Sequence, residues 1–339
     1  MGSRAGVPDL HPSDQNEPGI VRRRRGRGFS YHGPDGEPVR DPATLERIKA
    51  LVIPPAWTDV WICASEHGHL QAAGTDAAGR RQYLYHEEWR RQQDEAKFDR
   101  VLELAERLPA FRKTVDDQLA GRGLTRQRVL AAAARLLDVG FFRVGGESYD
   151  TYGLATLRME HVTCSGNTVT CCYPAKGDIP REVEVADAGA CRVIRSLKAL
   201  RADGELLRYR RDDGGWADVR SEDINAYLRD TIGDFTAKDF RTWHATVLAA
   251  VGLAVSKEAD SATARKRAIT RVMREVSEYL GNTPTVARSS YVDPRVIEAY
   301  ERGRTIAGAL TELGADVDHG MLATHGTVER AVIDLLVAV

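Results

Sequence analysis

Five side chains in the middle and C-terminal parts of the chain have the types needed to cut and rejoin a phosphodiester bond. They are Arg143, Lys176, Arg241, Asn282 and Tyr291, in that order along the sequence. A phosphodiester attacked in line develops negative charge on its non-bridging oxygens. The rigid fork of arginine donors matches two such oxygens. Arg143 and Arg241 are therefore candidates for stabilising that charge.

The other three residues supply the remaining parts of such a reaction. Tyr291 is the candidate nucleophile, because its phenol can attack phosphorus once nearby positive charge activates it. Lys176 is the candidate general acid for the departing 5′-oxygen, provided that neighbouring guanidiniums lower its pKa from the ordinary value of about 10.4. The amide of Asn282 can donate a hydrogen bond to a phosphate oxygen. Taken singly, each residue type is more often a solvated or packed side chain.

These residues lie in motifs that resemble those of the type IB DNA topoisomerases, specifically their compact bacterial and poxvirus-like branch. The motifs read Phe-Arg-Val-Gly at 142–145, Pro-Ala-Lys-Gly at 174–177, Lys-Asp-Phe-Arg-Thr at 238–242 and Arg-Ser-Ser-Tyr at 288–291. The resemblance runs from about residue 54 to residue 300. Asn282 replaces a histidine found in many family members, as it does in some bacterial ones, which keeps a hydrogen-bond donor without its charge.

The resemblance implies an ATP- and metal-independent enzyme that relaxes positive and negative supercoils. Tyr291 would cut one strand to leave a 3′-phosphotyrosyl bond and a free 5′-hydroxyl, the strand would rotate, and the hydroxyl would reseal it. The implied partner is double-stranded DNA, without a cofactor, a bound metal, a nucleotide or a membrane. The implied form is a cytoplasmic, nucleoid-associated monomer. The preferred cleavage site and the roles of both terminal segments stay open.

Two alternatives remain. A tyrosine recombinase uses similar chemistry, but its arginine usually lies in a His-x-x-Arg box, whereas Lys238 stands three residues before Arg241. A DNA-binding protein that has lost catalysis is the second, although all five positions carry competent residues. His244, also near Arg241 in sequence, is interpreted as structural, because the family pattern does not use that position.

The sequence predicts an α+β protein with three regions. Residues 1–28 are rich in Gly, Pro, Asp and Arg without apolar periodicity and are predicted to be a disordered basic tail. Residues 29–92 are predicted to be a small β-rich DNA-binding domain, and residues 93–339 a larger, mostly helical catalytic domain carrying a β-hairpin. By resemblance, this domain would have the fold shared by tyrosine recombinases and type IB topoisomerases.

Capping signals predict two helices, and one candidate residue lies on the second of them. Thr125 is a good N-cap, and Gly140 is predicted to end the helix that begins there. Thr236 with Asp239 predicts a capping box, which puts Arg241 on the first turns of the next such helix.

Turn and helix signals place the other candidates. Ser-Gly-Asn at 165–167 predicts a hairpin, and Lys176 is predicted at the tip of the following turn. An amphipathic helix is predicted over residues 262–280, and Thr283 begins a short helix that leads to Tyr291.

One segment of the N-terminal domain is the predicted DNA contact. Gly-Arg-Arg-Gln-Tyr-Leu-Tyr-His at 79–86 resembles a family motif and mixes basic, amide and aromatic groups suited to phosphates and base edges. The candidates are Arg81, Gln82, Tyr83 and Tyr85. A plain strand with alternating aromatic residues is the alternative interpretation.

Composition limits the remaining possibilities. The 339 residues include 48 basic and 49 acidic side chains, so a DNA-binding surface requires a basic face balanced by acidic groups elsewhere. Five cysteines without a C-x-x-C pair predict neither a disulfide framework nor a zinc site. No apolar run approaches the length of a membrane span.

Overall fold

The computed structural model describes residues 9–145, 152–174, 180–201, 203–256, 261–313 and 325–339. Two compact units divide the chain, residues 1–98 and residues 99–339. The first is a β-rich unit and the second is a mostly helical unit with two small β-sheets, which confirms the predicted α+β class. We call the second unit the catalytic unit, after the domain that the sequence predicts there.

The N-terminal unit is built on one antiparallel sheet and one helix. The strand order is β2-β1-β3-β4-β5. The apolar side chains of one sheet face pack with Ile48 of α1 to form the core of this unit. The elements are β1 (Ile20–Arg25), β2 (Gly28–His32), α1 (Pro42–Ala50), β3 (Thr58–Ile62), β4 (Leu70–Thr75) and β5 (Arg81–Tyr85).

The arginine-rich segment before residue 28 differs from its prediction as a disordered tail. β1 pairs with β2 along its length and with β3 through Ile20 and Val21. Ile20 is buried, and the guanidinium of Arg22 is buried against the backbone carbonyls of residues 53, 54 and 57. The sequence does not predict this strand because only two of its residues, Ile20 and Arg22, are buried, and one of them is an arginine among other arginines.

The predicted domain boundary near residue 92 also differs from the structure. A single helix, α2 (Glu87–Leu119), runs through this point, and the two compact units meet after Phe98 within it. Polar composition alone marked a boundary here because the first turns of α2 are mostly exposed.

Helices dominate the catalytic unit, and α3 and α6 are its most buried ones. The helices after α2 are α3 (Arg126–Gly140), α4 (Ala188–Lys198), α5 (Ser221–Ile232), α6 (Ala237–Ala254), α7 (Ala262–Leu280), α8 (Pro284–Ser290), α9 (Pro294–Glu301), α10 (Ala307–Leu313) and α11 (Thr327–Val337). No helix in the described ranges is both long and apolar enough to cross a membrane.

Two small antiparallel sheets complete this unit. Strands β6 (Val162–Ser165), β7 (Thr168–Pro174) and β8 (Pro180–Ala186) form one sheet, and β9 (Arg208–Arg210) pairs with β10 (Trp216–Asp218). The predicted turn at 165–167 is confirmed, since Ser165 pairs with Thr168.

The predicted helix signals are confirmed in the structure. The side chain of Thr125 caps α3, and that of Thr283 caps α8. The backbone N–H of Thr236 donates to the carboxylate of Asp239 at 2.8 Å, as a capping box requires. These local signals fix where α3, α6 and α8 begin.

Candidate active site

Four of the candidate residues come together at helix ends in the catalytic unit. Arg143 follows the end of α3, Arg241 lies near the start of α6, Asn282 follows α7, and Tyr291 ends α8. Direct contacts join them in two pairs, Arg143 with Asn282 and Arg241 with Tyr291.

Arg143 and Asn282 are hydrogen-bonded to each other. Nη2 of Arg143 donates to Oδ1 of Asn282 at 2.7 Å and to the carbonyl of Gly281 at 3.0 Å. Because a guanidinium only donates, this bond assigns the amide oxygen to the side facing Arg143. Nδ2 of Asn282 is buried and has no hydrogen-bond partner among the described residues. Asn282 therefore keeps one amide donor available for a ligand oxygen.

Arg241 is a buried cation held by carbonyl groups. It is 3% exposed, and it donates to the carbonyls of Phe141 and Leu280, the latter at 2.8 Å. Burial lowers the pKa of Arg241 to about 10; Tyr291 opposes this shift, and the neighbouring guanidiniums add to it. The side chain still carries its charge at neutral pH. A buried charge bound only to neutral groups favours an anion beside it.

Phe141 sets the direction of one of these carbonyls. Its φ of 56° is left-handed; α3 ends at Gly140, as the sequence predicts, and Phe141 is the left-handed residue that follows. This conformation costs a residue with a side chain roughly 1–2 kcal/mol. The carbonyl of Phe141 accepts from Arg241 and, at 3.5 Å, from Nη2 of Arg181. The strained residue thus joins two arginines at one acceptor.

Arg181 is a member of the site that sequence reasoning missed. Its Nη2 donates to the carbonyl of Tyr279 at 2.8 Å. Burial lowers the pKa of Arg181; Tyr173 opposes this shift, and Arg143 adds to it. The φ of Gly281 is 59°, a left-handed conformation that favours glycine, and a side chain there would lie 2.6 Å from Nη1 of Arg181 and displace that guanidinium.

A sequence signal for Arg181 exists in the alternation of β8. Exposed residues alternate there with Arg181, Val183 and Val185, which are half-buried or buried. An arginine in phase with two valines is unusual on the inward face of a strand. Since Tyr173 pairs with Arg181, the buried side of the hairpin carries this charge to the site.

Tyr291 lies beside Arg241. The guanidinium carbon of Arg241 is 5.4 Å from the centroid of the tyrosine ring. The backbone of Tyr291 is held at both ends, because its N–H donates to Ala287 at 3.1 Å and its carbonyl accepts from Oγ1 of Thr246 at 3.3 Å. The phenol is half-buried on a short, fixed helix end, next to positive charge.

We call Arg143, Arg181 and Arg241 the arginine cluster. Within the described residues their hydrogen-bond acceptors are backbone carbonyls and the amide of Asn282, and no carboxylate pairs with any of them. Arg241 is buried and the other two are half-buried. Like charges held close together repel one another, so the cluster is arranged to receive an anion. A phosphate oxygen is the kind of acceptor that several arginines and an amide suit.

Comparison with known proteins identifies the family of this chain. Residues 86–312, more than half of the chain, match the family model of the eukaryotic DNA topoisomerase I catalytic core. The chain belongs to the type IB DNA topoisomerases. Residues 28–76 match the N-terminal domain of bacterial DNA topoisomerase IB. The chain is also 28% identical over 294 residues to DNA topoisomerase 1B of Acanthamoeba polyphaga mimivirus, covering 84% of this chain and 88% of the viral protein.

Membership in the type IB topoisomerases confirms the resemblance seen in the motifs and identifies an isomerase acting on DNA. The catalytic core model spans four of the segments discussed above, including those with Arg143, Arg241 and Tyr291. Which residue performs which step is a separate question, and those roles stay predictions.

Lys176, the fifth candidate of this type IB enzyme, lies outside the described residues. The last pair between β7 and β8 joins Pro174 to Pro180, and Lys176 falls in the segment between them. The hairpin that leads to this segment also carries Arg181 into the arginine cluster.

The DNA-contact candidates of the N-terminal unit lie on β5, an edge strand. Arg81 and Gln82 already have partners within this unit. Arg81 donates to Gln15 at 2.8 Å and to the carbonyl of Asp59 at 2.9 Å, and Gln82 donates to Asp76 at 2.9 Å. Those two side chains are thereby held in place by neutral and acidic acceptors.

Tyr83 and Tyr85 differ from these two residues. Both are about two-fifths exposed, and their ring centroids lie 6.3 Å apart. Because they are two positions apart on a strand, they share one face of the sheet. They form a short aromatic surface at the sheet edge of this topoisomerase.

A second cluster in the catalytic unit, which we call the ion network, is built around Arg112. This guanidinium donates to both oxygens of Asp138, at 2.7 and 2.9 Å, and to both oxygens of Glu329, at 2.5 and 2.9 Å. Although burial alone would lower it, the two carboxylates hold the pKa of Arg112 well above its ordinary value. Trp243 also donates to Glu329, and Nε2 of His244 lies 3.2 Å from Oδ1 of Asp138.

The ion network also contains the one grouping in the described residues that has metal-ligand spacing. Candidate ligand atoms of Asp138, His244 and His325 lie within 4.8 Å of one another. This set does not suit a cation, because Arg112 already donates to both oxygens of Asp138 and would repel a metal ion there. The contacts of His244 support its interpretation as a structural residue.

Proposed function

We propose that this chain relaxes supercoiled duplex DNA by cutting one strand through a 3′-phosphotyrosyl bond to Tyr291. The observation that carries the proposal is the arginine cluster with Asn282, next to Tyr291 and without a carboxylate to neutralise it. Such a site is complementary to a phosphodiester whose negative charge grows in the transition state.

The cleavage step is a transfer of one phosphodiester bond. The Oη of Tyr291 attacks phosphorus and loses its proton to solvent, while the bond from phosphorus to the 5′-oxygen breaks. Arg143 and Arg241 stabilise the non-bridging oxygens, and the unpartnered Nδ2 of Asn282 donates a further hydrogen bond. Arg241 also stabilises the negative charge that develops on the phenol oxygen.

The departing 5′-oxygen needs a proton, and we assign this proton to Lys176. The β7–β8 hairpin supports the assignment, because its buried face reaches the arginine cluster through Arg181. Nearby guanidiniums would lower the pKa of the lysine and make it a better acid.

Resealing is the reverse reaction and restores the original bond. After the cut strand rotates, the 5′-hydroxyl attacks phosphorus, the bond to Tyr291 breaks, and its oxygen regains a proton. One phosphodiester is exchanged for another in each direction, so the cycle requires no ATP. The arginines carry the positive charge that the transition state needs, so the cycle is proposed to run without a metal ion.

The N-terminal unit is proposed to bind the same duplex through β5. Tyr83 and Tyr85 offer exposed aromatic surface, whereas Arg81 and Gln82 would have to exchange their present partners for DNA. A cytoplasmic, nucleoid-associated location and a monomeric state are further predictions of this proposal.

Relaxation of plasmid DNA tests the proposal directly. Negatively and positively supercoiled plasmids are incubated in EDTA without ATP with wild type, Tyr291→Phe and Tyr300→Phe. We expect the wild type and Tyr300→Phe to relax both signs and Tyr291→Phe to relax neither. Tyr300 is the matched control, because its hydroxyl is buried without a hydrogen-bond partner in the described part of the chain.

Denaturing the reaction while DNA is bound tests the covalent step. Wild type should leave a protein–DNA adduct on the 3′ end of the cut strand, and Tyr291→Phe should leave none. An adduct at a 5′ end, or one that survives in Tyr291→Phe, would refute the proposed nucleophile. A folded wild type that binds DNA without any adduct would indicate a binding protein instead.

A further inference from the structure

The sheet of the N-terminal unit places two hairpin tips at the same end. β1 and β4 run in one direction, and the strands that follow each of them, β2 and β5, return. The β1–β2 tip at residues 26–27 and the β4–β5 tip at residues 76–80 therefore lie at one end of the sheet. Three strand spacings of about 4.8 Å separate them, or about 14 Å.

This end of the sheet is rich in arginine. Six arginines lie at the two tips and the adjoining strand ends, against two aspartates, Asp59 and Asp76. The carboxylate of Asp76 is occupied by the backbone and side chain of Arg80. We call this end the basic end; its arginines are Arg23, Arg24, Arg25, Arg27, Arg80 and Arg81.

The opposite end of the same sheet carries the reverse charge. The β2–α1 and β3–β4 connections and the start of α2 lie there. Their arginines are Arg40, Arg90 and Arg91, and Arg91 is paired with Glu88 and Glu95. The acidic side chains at this end are Asp35, Glu37, Asp41, Glu66, Glu87 and Glu88. The whole chain has a net charge near zero, but the N-terminal unit carries positive charge at one end of its sheet and negative charge at the other.

The arginines of β1 and of the β1–β2 tip are of two kinds: Arg22 is bonded within the fold, and the others have exposed side chains without partners in the described part of the chain. Arg22 is buried, stacks on Phe29 at 4.2 Å, and donates to three backbone carbonyls. The four that follow it, Arg23, Arg24, Arg25 and Arg27, are exposed, and their side chains form no hydrogen bond or ion pair within the described residues. Four adjacent cations without partners repel one another, so an anionic partner would stabilise them.

Strand register connects this tip to the aromatic surface on β5. Val21, Trp61, Ala73 and Tyr83 are paired in succession from β1 to β5, so their side chains share one sheet face. With a period of two, Arg23 and Arg25 lie on the same face as Val21, and Tyr85 on that of Tyr83. The arginine tip and the two tyrosines thus lie on the same side of the sheet, at opposite edges of it, with the buried Trp61 and Ala73 between them.

We propose that the basic end binds the sugar-phosphate backbone of duplex DNA, with the β1–β2 tip as its principal contact. The tips are about 14 Å apart, comparable to a major groove about 12 Å wide, so one duplex can contact both. This inference rests on the proposed function for the identity of the partner. It assigns a role to an arginine segment that contains no catalytic residue.

The salt dependence of DNA binding tests the proposal. The full chain with Tyr291→Phe is titrated onto a fluorescent duplex between 50 and 300 mM NaCl, with and without R23Q/R24Q/R25Q/R27Q. Each phosphate contact contributes about 0.9 to the slope of log affinity against log salt. We expect the four-residue variant to lose about 3 to 4 from that slope; a loss below about 1 overturns the proposal.

Two control variants make the result specific. R23K/R24K/R25K/R27K keeps the charge and should retain most of the slope, and R40Q removes an arginine from the acidic end and should leave it unchanged. A Lys variant as weak as the Gln variant would refute phosphate contact. Thermal unfolding monitored by circular dichroism identifies any variant that fails to fold, in which case R25Q/R27Q replaces it with an expected slope loss of about 2.

Plasmid relaxation separates this inference from the proposed function. If wild type does not relax DNA, the proposed function fails, while the slope comparison still reports on the basic end. If wild type relaxes DNA and the four-residue variant binds with an unchanged slope, the further inference alone fails.

Discussion

Two charged clusters of the catalytic unit, the arginine cluster and the ion network, lie on either side of Phe141 and differ in how their positive charge is balanced. The carbonyl of Phe141 accepts from Arg241 of the arginine cluster, and its ring packs edge-on against His244 of the ion network, with centroids 5.2 Å apart. In the ion network, Arg112 has two carboxylates as partners. The arginine cluster has carbonyls and one amide.

This difference indicates what each cluster is for. A buried cation with two buried carboxylates is complete by itself, and it ties α11 to α2 and α3. Neighbouring guanidiniums without a counter-ion, one of them buried, cost folding free energy, and an anionic ligand that binds them lowers this cost. The structure thus pairs a stabilising cluster with one that we propose is completed by DNA.

Breaking the ion network should produce the largest loss of stability. Arg112→Met leaves the carboxylates of Asp138 and Glu329 buried without their cation, which typically costs about 3–5 kcal/mol. Urea unfolding monitored by circular dichroism would measure it. The folded fraction should retain its rate of DNA cleavage. A stability loss below about 1 kcal/mol would contradict the role assigned to this network.

The same substitution in the arginine cluster should reverse the pattern. Arg241→Met removes a donor to the transition state, and we expect the single-turnover rate of adduct formation to fall about 10²–10³-fold. Its free energy of unfolding should change by no more than about 1 kcal/mol, because the loss of two carbonyl hydrogen bonds is offset by relief of charge repulsion and desolvation.

Arg241→Lys is the matched control, because it keeps the charge but loses the fork that contacts two oxygens. Its cleavage rate should lie between those of wild type and Arg241→Met. A loss of stability as large as that of Arg112→Met would show that Arg241 is a structural residue, and the distinction between the clusters would fail.

Acid should weaken the ion network through His325. Burial lowers the pKa of His325 to about 4, and Arg112 and His244 add to the shift while Asp138 and Glu329 oppose it. The folded pKa lies below the ordinary value of about 6.5, so the unfolded state binds more protons between those limits. Stability should fall by up to about 1.4 kcal/mol per pH unit as pH drops from 6.5 to 4.

Equilibrium unfolding of wild type and His325→Gln between pH 7.5 and 4 checks this expectation. The variant should show a shallower loss, since glutamine does not titrate. Below pH 4.5, protonation of Glu329 adds a second loss in both proteins, because interactions led by those with Arg112 hold its pKa below the ordinary value despite burial. Identical curves above pH 4.5 would count against this role of His325.

Local sequence signals were sufficient for the positions of the catalytic segments. Two helices begin where a threonine side chain, that of Thr125 or Thr283, accepts from a backbone N–H three residues later. The third begins with the capping box of Thr236 and Asp239, so a few neighbouring residues decide each helix start. The turn at 165–167 is equally local. This explains why α3, α6, α8 and the hairpin could be placed from the sequence.

Features set by long-range contacts could not be read in the same way. The sequence assigns Arg22 to a charged tail, because the carbonyls to which its guanidinium donates lie more than thirty residues away. Arg181 joins the site through Tyr279 and Phe141, which are distant in sequence. The pairing of Arg112 with Glu329 spans most of the catalytic unit. Such contacts depend on the assembled fold.

The smallest expected effect concerns Asn282. Its amide accepts from Arg143 at 2.7 Å and keeps Nδ2 as a donor, so the neutral side chain already supplies the hydrogen bond that a histidine would provide. We expect Asn282→His to cleave within about tenfold of wild type at pH 7.5, and Asn282→Ala, which loses both bonds, to be slower than either.

The pH dependence of this variant reports on the arginine cluster itself. Three neighbouring guanidiniums disfavour a fourth positive charge, so a histidine at position 282 should stay neutral until the pH falls below its ordinary pKa of about 6.5. Single-turnover cleavage rates of Asn282→His and wild type should therefore keep a constant ratio above about pH 6.5 and diverge only below it. A divergence centred near pH 7 or higher would mean that the position attracts a proton, which is incompatible with three uncompensated charges beside it.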